Sequence, residues 1–475
     1  MNQWLTWFHR WAGVVLCLVV LLWFISGAVL HFVPFPALGD EERYERGPSI
    51  DLARLKVTPA AALAQVPDAS TLRLVSVLGR PEYVLLSAHG WTAIAGDSGE
   101  MLPPVGSATA KRIAEEFGSA SAASVDGPIA YDQWIVHQHF DAHRPFFRIR
   151  LQDPSATELY VSSRTGEILQ RTRHTERAWN WCGAVLHWFY FTPLRKSYPA
   201  WNQAVWWLSL VTLVTSIIGT WLGVLRSLAN HAAGGKGLSP FRGWMRWHHI
   251  IGLFASLVVL FWIFSGWLSM DHGRLFSRGQ PTQAQTDAMR GTTIAAVAES
   301  ASIERLRAAG SASTIEFDAV AGEPFISVRG SGMPARVFSL ASGETASAVP
   351  IALLARAVAS AWPGALPEQQ ASPGIAKLYA LAEYLPRGAR AFITPGARPT
   401  HIYIDELTGR VLIVMDPSRV AYAWIFYALH TLQFPGLNTH PTVRTSLVLA
   451  LLAFGTAFSV TGVVLGVKRL QREFA

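Results

Sequence analysis

The chain has 475 residues, of which 51% are hydrophobic and only 15% charged, against roughly 25% charged in an average soluble domain. Two cysteines, Cys17 and Cys182, exclude a disulfide framework, and the 19 Trp belong to a residue type favoured at membrane–water boundaries. The formal charge of +8 does not mark a nucleic-acid binder, because much of the excess lies beside apolar runs and reads as membrane topology.

Residues 11–30 form an uncharged apolar run, and about 20 such residues span a bilayer as a helix. A cleaved signal peptide is the competing reading; the run is long for one, and it recurs later in the chain. A mixed segment follows over about 34–200, too polar for membrane and long enough to fold. Within it, 58–65 and 109–117 have helical character. Residues 146–151 and 159–161 alternate as strands, and 163–167 closes a turn in which Gly166 supplies a positive φ. Further uncharged runs cover 201–225 and 250–270. The connection between them carries Arg226, Lys236, Arg242 and Arg246 with no acidic residue. A second mixed segment, about 271–444, repeats the strand and turn over 399–404 and 405–409. The run 445–467 and a tail with Lys468, Arg469 and Arg472 complete the chain. Basic residues in short flanks mark the cytoplasmic side, so Arg10, the central connection and the tail are expected inside and both mixed segments outside.

The division that follows is helix 1 over 1–33, an outer region over 34–175, and an interfacial helix with helix 2 over 176–228. A cytoplasmic loop over 229–246 leads to helix 3 over 247–271, a second outer region over 272–418, and an interfacial helix, helix 4 and a tail over 419–475. Each outer region is expected to hold two small α+β modules.

The two halves match one another. Phe8-His9-Arg10-Trp11-Ala12-Gly13, leading to Ser26-Gly27, aligns with Trp247-His248-His249-Ile250-Ile251-Gly252, leading to Ser265-Gly266. Tyr160, Thr165-Gly166, Leu186-His187, Gly219, Gly223 and Arg226 align without a gap with Tyr403, Thr408-Gly409, Leu429-His430, Gly462, Gly466 and Arg469. Self-similarity of this kind implies a structural repeat, and entry from the same side makes the halves parallel. The expected fold is an α-helical integral membrane protein with four transmembrane helices in two parallel repeats, plus α+β modules outside.

The matched histidines are the chemical candidates. One His at a helix end is most simply an interfacial anchor or a satisfied polar group, but intramembrane ionisable groups are functional suspects. His9 and His248 recur at the cytoplasmic ends of helices 1 and 3, His187 and His430 on the outer side. Two imidazoles related by a two-fold axis suit the opposite axial positions of haem iron. The pairs cannot share one metal, since His9 and the boundary near His31 lie roughly 33 Å apart at 1.5 Å per residue. Two haems b, one near each face, are expected, with His9, His248, His187 and His430 as iron ligands. Zinc fits less well, because neither pair has a carboxylate or Cys beside it. His249, His31 and His272 could replace or assist a ligand. Phe8, Trp11, Trp188, Phe189, Trp244 and Trp247 could wall the sites or serve as headgroup-belt residues. Arg10, Arg195, Lys196 and Arg246 could pair with propionates.

On these motifs, His9 to Gly13, Trp247 to Gly252, Leu186-His187 and Leu429-His430, the chain resembles the PepSY-associated transmembrane proteins over nearly its whole length. The resemblance implies PepSY-like periplasmic modules ending at Tyr160–Gly166 and Tyr403–Gly409. Family members include inner-membrane ferric-siderophore reductases that hold haem, which implies reduction of a ferric siderophore or other iron chelate on the periplasmic side. The competing functions are a non-redox protein whose outer modules bind peptides or restrain extracytoplasmic peptidases, and a haem-handling protein without reductase activity.

His137, His139, Asp141 and His143 alternate and would share a face on a strand, where they could bind a metal; Arg144-Pro145 favours a solvated loop instead. No flavin or nicotinamide fingerprint is present, so a quinol or a partner protein is the expected electron donor. The lipid bilayer is the other expected partner, and no nucleic acid is.

Overall fold

The four apolar runs become four long helices in a computed structural model of the chain, which describes residues 2–367, 374–383, 385 and 389–473. They are α1 (Asn2–Phe32), α2 (Tyr198–Ala232), α3 (Gly243–Ser269) and α4 (Pro441–Glu473). Among the described residues, these four are long and apolar enough to cross a membrane. They outrun the apolar stretches because nothing in the flanks stops a helix. The 35 residues of α2 run about 52 Å at 1.5 Å per residue, well beyond a hydrocarbon core of about 30 Å. At its start Ser197 caps Ala200 N and a proline occupies the first turn.

In this unit, which comprises 1–35, 178–276 and 420–475, α1 packs against α4 and α2, and α3 against α2 and α4. Phe24, Leu213, Ala255, Val259, Ile263, Val448 and Leu452 form the centre. Lipid gives helices little hydrophobic reason to associate, so close approach over small residues carries the packing; the Phe24 ring lies directly on Gly455. Two π-helical segments, Trp181–Val185 and Trp424–His430, belong to the same unit.

The second unit joins 36–177 with 277–419. From the first stretch come β1 (Thr71–Val77), β2 (Arg80–Ser87), β3 (Gly90–Ala95), β4 (Ala122–Ile129), β5 (Phe146–Leu151), β6 (Glu158–Ser162) and β7 (Ile168–Thr172). The second supplies β8 (Thr314–Val320), β9 (Glu323–Gly330), β10 (Met333–Ser339), β11 (Thr345–Ala346), β12 (Leu366–Pro367), β13 (Ala389–Ile393), β14 (His401–Asp405) and β15 (Val411–Met415). Strands β4 to β7 and β12 to β15 make two four-stranded sheets. The remaining strands merge into one seven-stranded sheet in the order β11-β10-β9-β8-β1-β2-β3. The join is the antiparallel pair β1–β8, with Leu72 opposite Phe317 and Arg73 opposite Glu316. The two mixed segments are therefore woven together, which their separate positions in the chain gave no reason to expect.

Alternation decides what each face of β1 does. Leu72 and Leu74 join Tyr83, Leu85, Ile315 and Phe317 in the main core beneath the short helices Pro59–Leu63 and Ile294–Ser300. Arg73 points the other way and pairs with both oxygens of Glu167 at 2.7 and 2.8 Å. Its guanidinium lies 4.5 Å from the Trp91 ring, which stacks on His143 at 5.1 Å. Further along the seam Arg410 bridges Asp318 at 2.9 Å and Glu316 at 3.3 Å.

The expected helices appear as Pro59–Leu63 and Ser107–Gly118, and Phe146–Leu151 is a strand. Gly166 and Gly409 close their turns at φ +68° and +67°, a conformation that penalises any side chain. The alternating reading of 137–143 does not hold. Gln138–His143 is a 3-10 helix, so its side chains do not share a strand face.

Candidate functional site

His187 and His430 sit where the two π-helical segments end. A π turn closes on the fifth residue back, as Tyr190 N to Val185 O (2.9 Å) and Thr431 N to Phe426 O (3.1 Å) do here. Two residues beyond each histidine, Phe189 and Leu432 take positive φ and turn the chain away. Each histidine carbonyl is held by an indole: Trp23 Nε1 donates to His187 O at 3.1 Å, and Trp262 Nε1 to His430 O at 3.0 Å.

The rings are held in the same way. His187 Nδ1 lies 3.1 Å from Ser26 Oγ, and His430 Nδ1 lies 3.1 Å from Ser265 Oγ. Ser26 donates its own hydrogen to Leu22 O at 2.5 Å and Ser265 to Trp262 O at 3.1 Å. With that hydrogen spent, each hydroxyl can only accept from the imidazole. Both imidazoles therefore carry the proton on Nδ1, and each Nε2 keeps a free lone pair. The two ring centroids are 6.3 Å apart, with the planes at 63°.

The other pair lies toward the opposite end of the bundle. His9 stands about 26 Å from Ser26 along α1 at 1.5 Å per residue. His9 Nδ1 donates to the Thr215 carbonyl at 3.1 Å, and its ring presses on Gly219, where a Cβ would have no room. His248 Nδ1 donates to Thr461 Oγ1 at 2.9 Å, while Thr461 donates to Phe458 O at 2.5 Å. The His248 ring also stacks on Phe458 at 5.0 Å. Here too both Nε2 atoms are left free.

His9 and His248 line a cavity of about 590 Å³, within the range of small-molecule and cofactor sites. Gly13, Gly219, Gly223, Gly252, Gly462 and Gly466 are among its lining residues. Arg10, Arg226, Lys468, Arg469 and Arg472 contribute cations, and no Asp or Glu is among the lining residues. His249 also lines it but is held differently. Its Nε2 donates to Gly223 O at 2.9 Å, and the buried Nδ1 has no hydrogen-bond partner.

The remaining candidates lie elsewhere. His31 Nε2 is bound to Thr445 Oγ1 at 3.1 Å, and His272 Nδ1 to Asn202 Oδ1 at 2.7 Å, with its ring stacked on Trp206. Arg10 lines the cavity, whereas Arg246 is exposed outside that lining. Arg195 is buried among the rings of Tyr190, Tyr198 and Trp201, and Lys196 is exposed. The aromatic residues expected as walls do not line this cavity. Trp244 and Trp247 are exposed, and Trp11 lies under the Arg469 guanidinium. Phe241 and Phe458 are the aromatic side chains in the lining besides the histidines.

In the second unit, the His137 and His139 rings stack on each other at 5.5 Å, and Asp141 pairs with Arg144 at 2.8 Å. Among the described residues, no group of three or more His, Cys, Asp and Glu is placed to hold a metal ion.

The sequence reading missed the hydroxyls and indoles that hold the histidines. Ser26 and Ser265 stood in the matched motifs, and Trp23 and Trp262 share their spacing; a search for polar partners at the His offset would have found them. Thr461 has Ile218 as its counterpart and left no such signal.

The family model described as PepSY-associated TM region matches residues 6–469. The chain therefore belongs to that family of membrane proteins. No curated protein matches it.

Proposed function

We propose that this PepSY-associated protein is a di-haem b-type electron carrier of the bacterial inner membrane that reduces ferric chelates, of the siderophore class, on the periplasmic side. The observation that carries the reading is the His187–His430 pair. Two imidazoles bonded to one metal through Nε2 at roughly 2 Å each have centroids about 6 Å apart, and the observed separation is 6.3 Å. Both rings already have Nδ1–H engaged, as ligating histidines do. His187 and His430 would hold the group through Nε2, and such a two-nitrogen donor set suits haem iron better than a tetrahedral ion.

His9 and His248 are the corresponding ligands of the inner site. His248 is favoured over His249 because its Nε2 is free, whereas His249 commits that atom to Gly223 O. The cavity volume suits a cofactor, and the cations among its lining residues, Arg10, Arg226, Lys468 and Arg472, suit propionates. A haem bound at each pair supplies a one-electron iron couple. The chain's own contribution is to fix each imidazole, exclude water and set the ligand environment.

The basic flanks, with Arg226, Lys236, Arg242, Arg246, Lys468 and Arg469, support an orientation with these residues in the cytoplasm. The β-sheet unit is then periplasmic and PepSY-like. The repeated Ser–His and Trp–His contacts support two parallel repeats about an axis along the membrane normal. Electrons would enter from a quinol or a partner protein and pass to iron(III) of the chelate, and the iron(II) formed would be released because the chelate holds it less tightly.

The test is a reduced-minus-oxidised visible spectrum of the detergent-purified protein with a pyridine haemochrome assay. A b-type α-band with two haems per chain is expected. Colourless protein from cells supplied with haem would refute the reading and return the histidines to the role of interfacial anchors.

A further inference from the structure

We infer that three buried hydroxyls, Ser26, Ser265 and Thr461, are positioning residues that fix the tautomer of the ligand imidazoles and tune the reduction potentials of the two sites separately. The inference rests on the haem reading above and deepens it.

The geometry comes first. Ser26, Ser265 and Thr461 are 1%, 0% and 4% exposed, so water does not compete for them. Each donates its hydrogen to a carbonyl of its own helix, Leu22, Trp262 and Phe458 respectively. That leaves oxygen lone pairs as the only thing each can offer the ring nitrogen 2.9–3.1 Å away. Helix carbonyls thus orient the hydroxyls, and the hydroxyls orient the rings. The imidazole cannot flip without taking its buried N–H away from the hydroxyl oxygen that accepts it.

The electronic consequence follows. An imidazole that donates from Nδ1 is more basic at Nε2 and favours the more highly charged ferric state. Removing the acceptor should therefore raise the potential of the site concerned. The acceptors are distributed unevenly. Both ligands of the His187–His430 site lean on hydroxyls, whereas at the other site His248 leans on Thr461 and His9 on the Thr215 main chain. Side-chain substitution can thus address the outer site at two positions and the inner site at one.

The experiment is an optical redox titration of the full-length protein, the two potentials being assigned with His187→Ala, which removes the outer site. Ser26→Ala and Ser265→Ala are each expected to shift the outer potential upward and leave the inner one unchanged. Thr461→Ala should shift the inner potential alone, and Thr461→Ser, which keeps the hydroxyl, should restore it. Each variant carries its own control in the site left untouched. Potentials that stay put in all three alanine variants, or that move together, with haem content still two per chain, would overturn the inference and leave the haem reading standing. A colourless wild-type protein overturns both, and is detected before any variant is made.

Discussion

The Arg73–Glu167 pair of the β-sheet unit should dominate that unit's response to acid, and Glu167→Gln tests it. Burial alone would push the Glu167 carboxyl up, but the Arg73 guanidinium beside it holds it at about 2 against an ordinary 4.5. Arg43 and His143 act in the same direction. A depression of that size corresponds to roughly 3 kcal/mol of folded-state stabilisation. It also falls within the roughly 3–5 kcal/mol found when one member of a buried ion pair is removed. Because the folded pKa is lowered, the stabilisation is complete above about pH 4.5 and disappears as pH falls through about 2. Hydrogen exchange read by mass spectrometry on peptides from β1, β6 and β7 in micelles reports the opening free energy. The wild type should lose stability at up to about 1.4 kcal/mol per pH unit across that window, and the Gln variant should lack this component and start lower by several kcal/mol. If the variant costs less than about 1 kcal/mol, or keeps the wild-type slope between pH 4.5 and 2, the seam does not work as described.

Three further outcomes are expected. Burial holds the His143 ring, between Trp91 and its charged neighbours Arg73, Arg43, Glu167 and His139, at about pKa 4. The unfolded chain takes up that proton first, so stability present above about pH 6.5 should be lost as pH falls toward 4; His143→Phe should flatten this part of the same exchange profile. Gly219→Ala drives a methyl into the His9 ring, so pyridine haemochrome should fall from two haems per chain to one while the Nδ1–Ser clamps at His187 and His430 keep theirs. His248→Ala should lose one haem and His249→Ala should retain both; the reverse result would exchange the roles assigned to these neighbours.

The membrane helices were legible because lipid requires an unbroken apolar run with its backbone bonded internally, and 11–30, 201–225, 250–270 and 445–467 each satisfy it. The histidines stood out because His9 and His248, and His187 and His430, keep register between halves. What lay beyond sequence was local geometry. The doubled His248-His249 became distinguishable only when α2 and α4 brought Gly223 O and Thr461 Oγ1 to different ring nitrogens. The π turns at Trp181–Val185 and Trp424–His430 have no pattern in composition, since one extra residue per turn leaves the apolar content unchanged. The aromatic residues near His9 looked like pocket walls, yet mainly aliphatic, hydroxyl and basic residues line the cavity and Trp244 and Trp247 remain exposed. The shared sheet was hidden because alternation fixes the faces of β1 and β8 but not which strand each will pair with.

That shared sheet also sets an order of events during synthesis. β8 follows β1 by roughly 240 residues, which at about 5–20 residues per second is a delay of about 12–48 seconds. In the proposed orientation two membrane helices must also be inserted within that interval. Until then the first outer stretch waits with the edge of β1 unpaired, the kind of strand edge that invites wrong partners. In that orientation a ribosome that stalls between the halves would leave an open template outside the membrane, and maturation would depend on the second half arriving before another strand does.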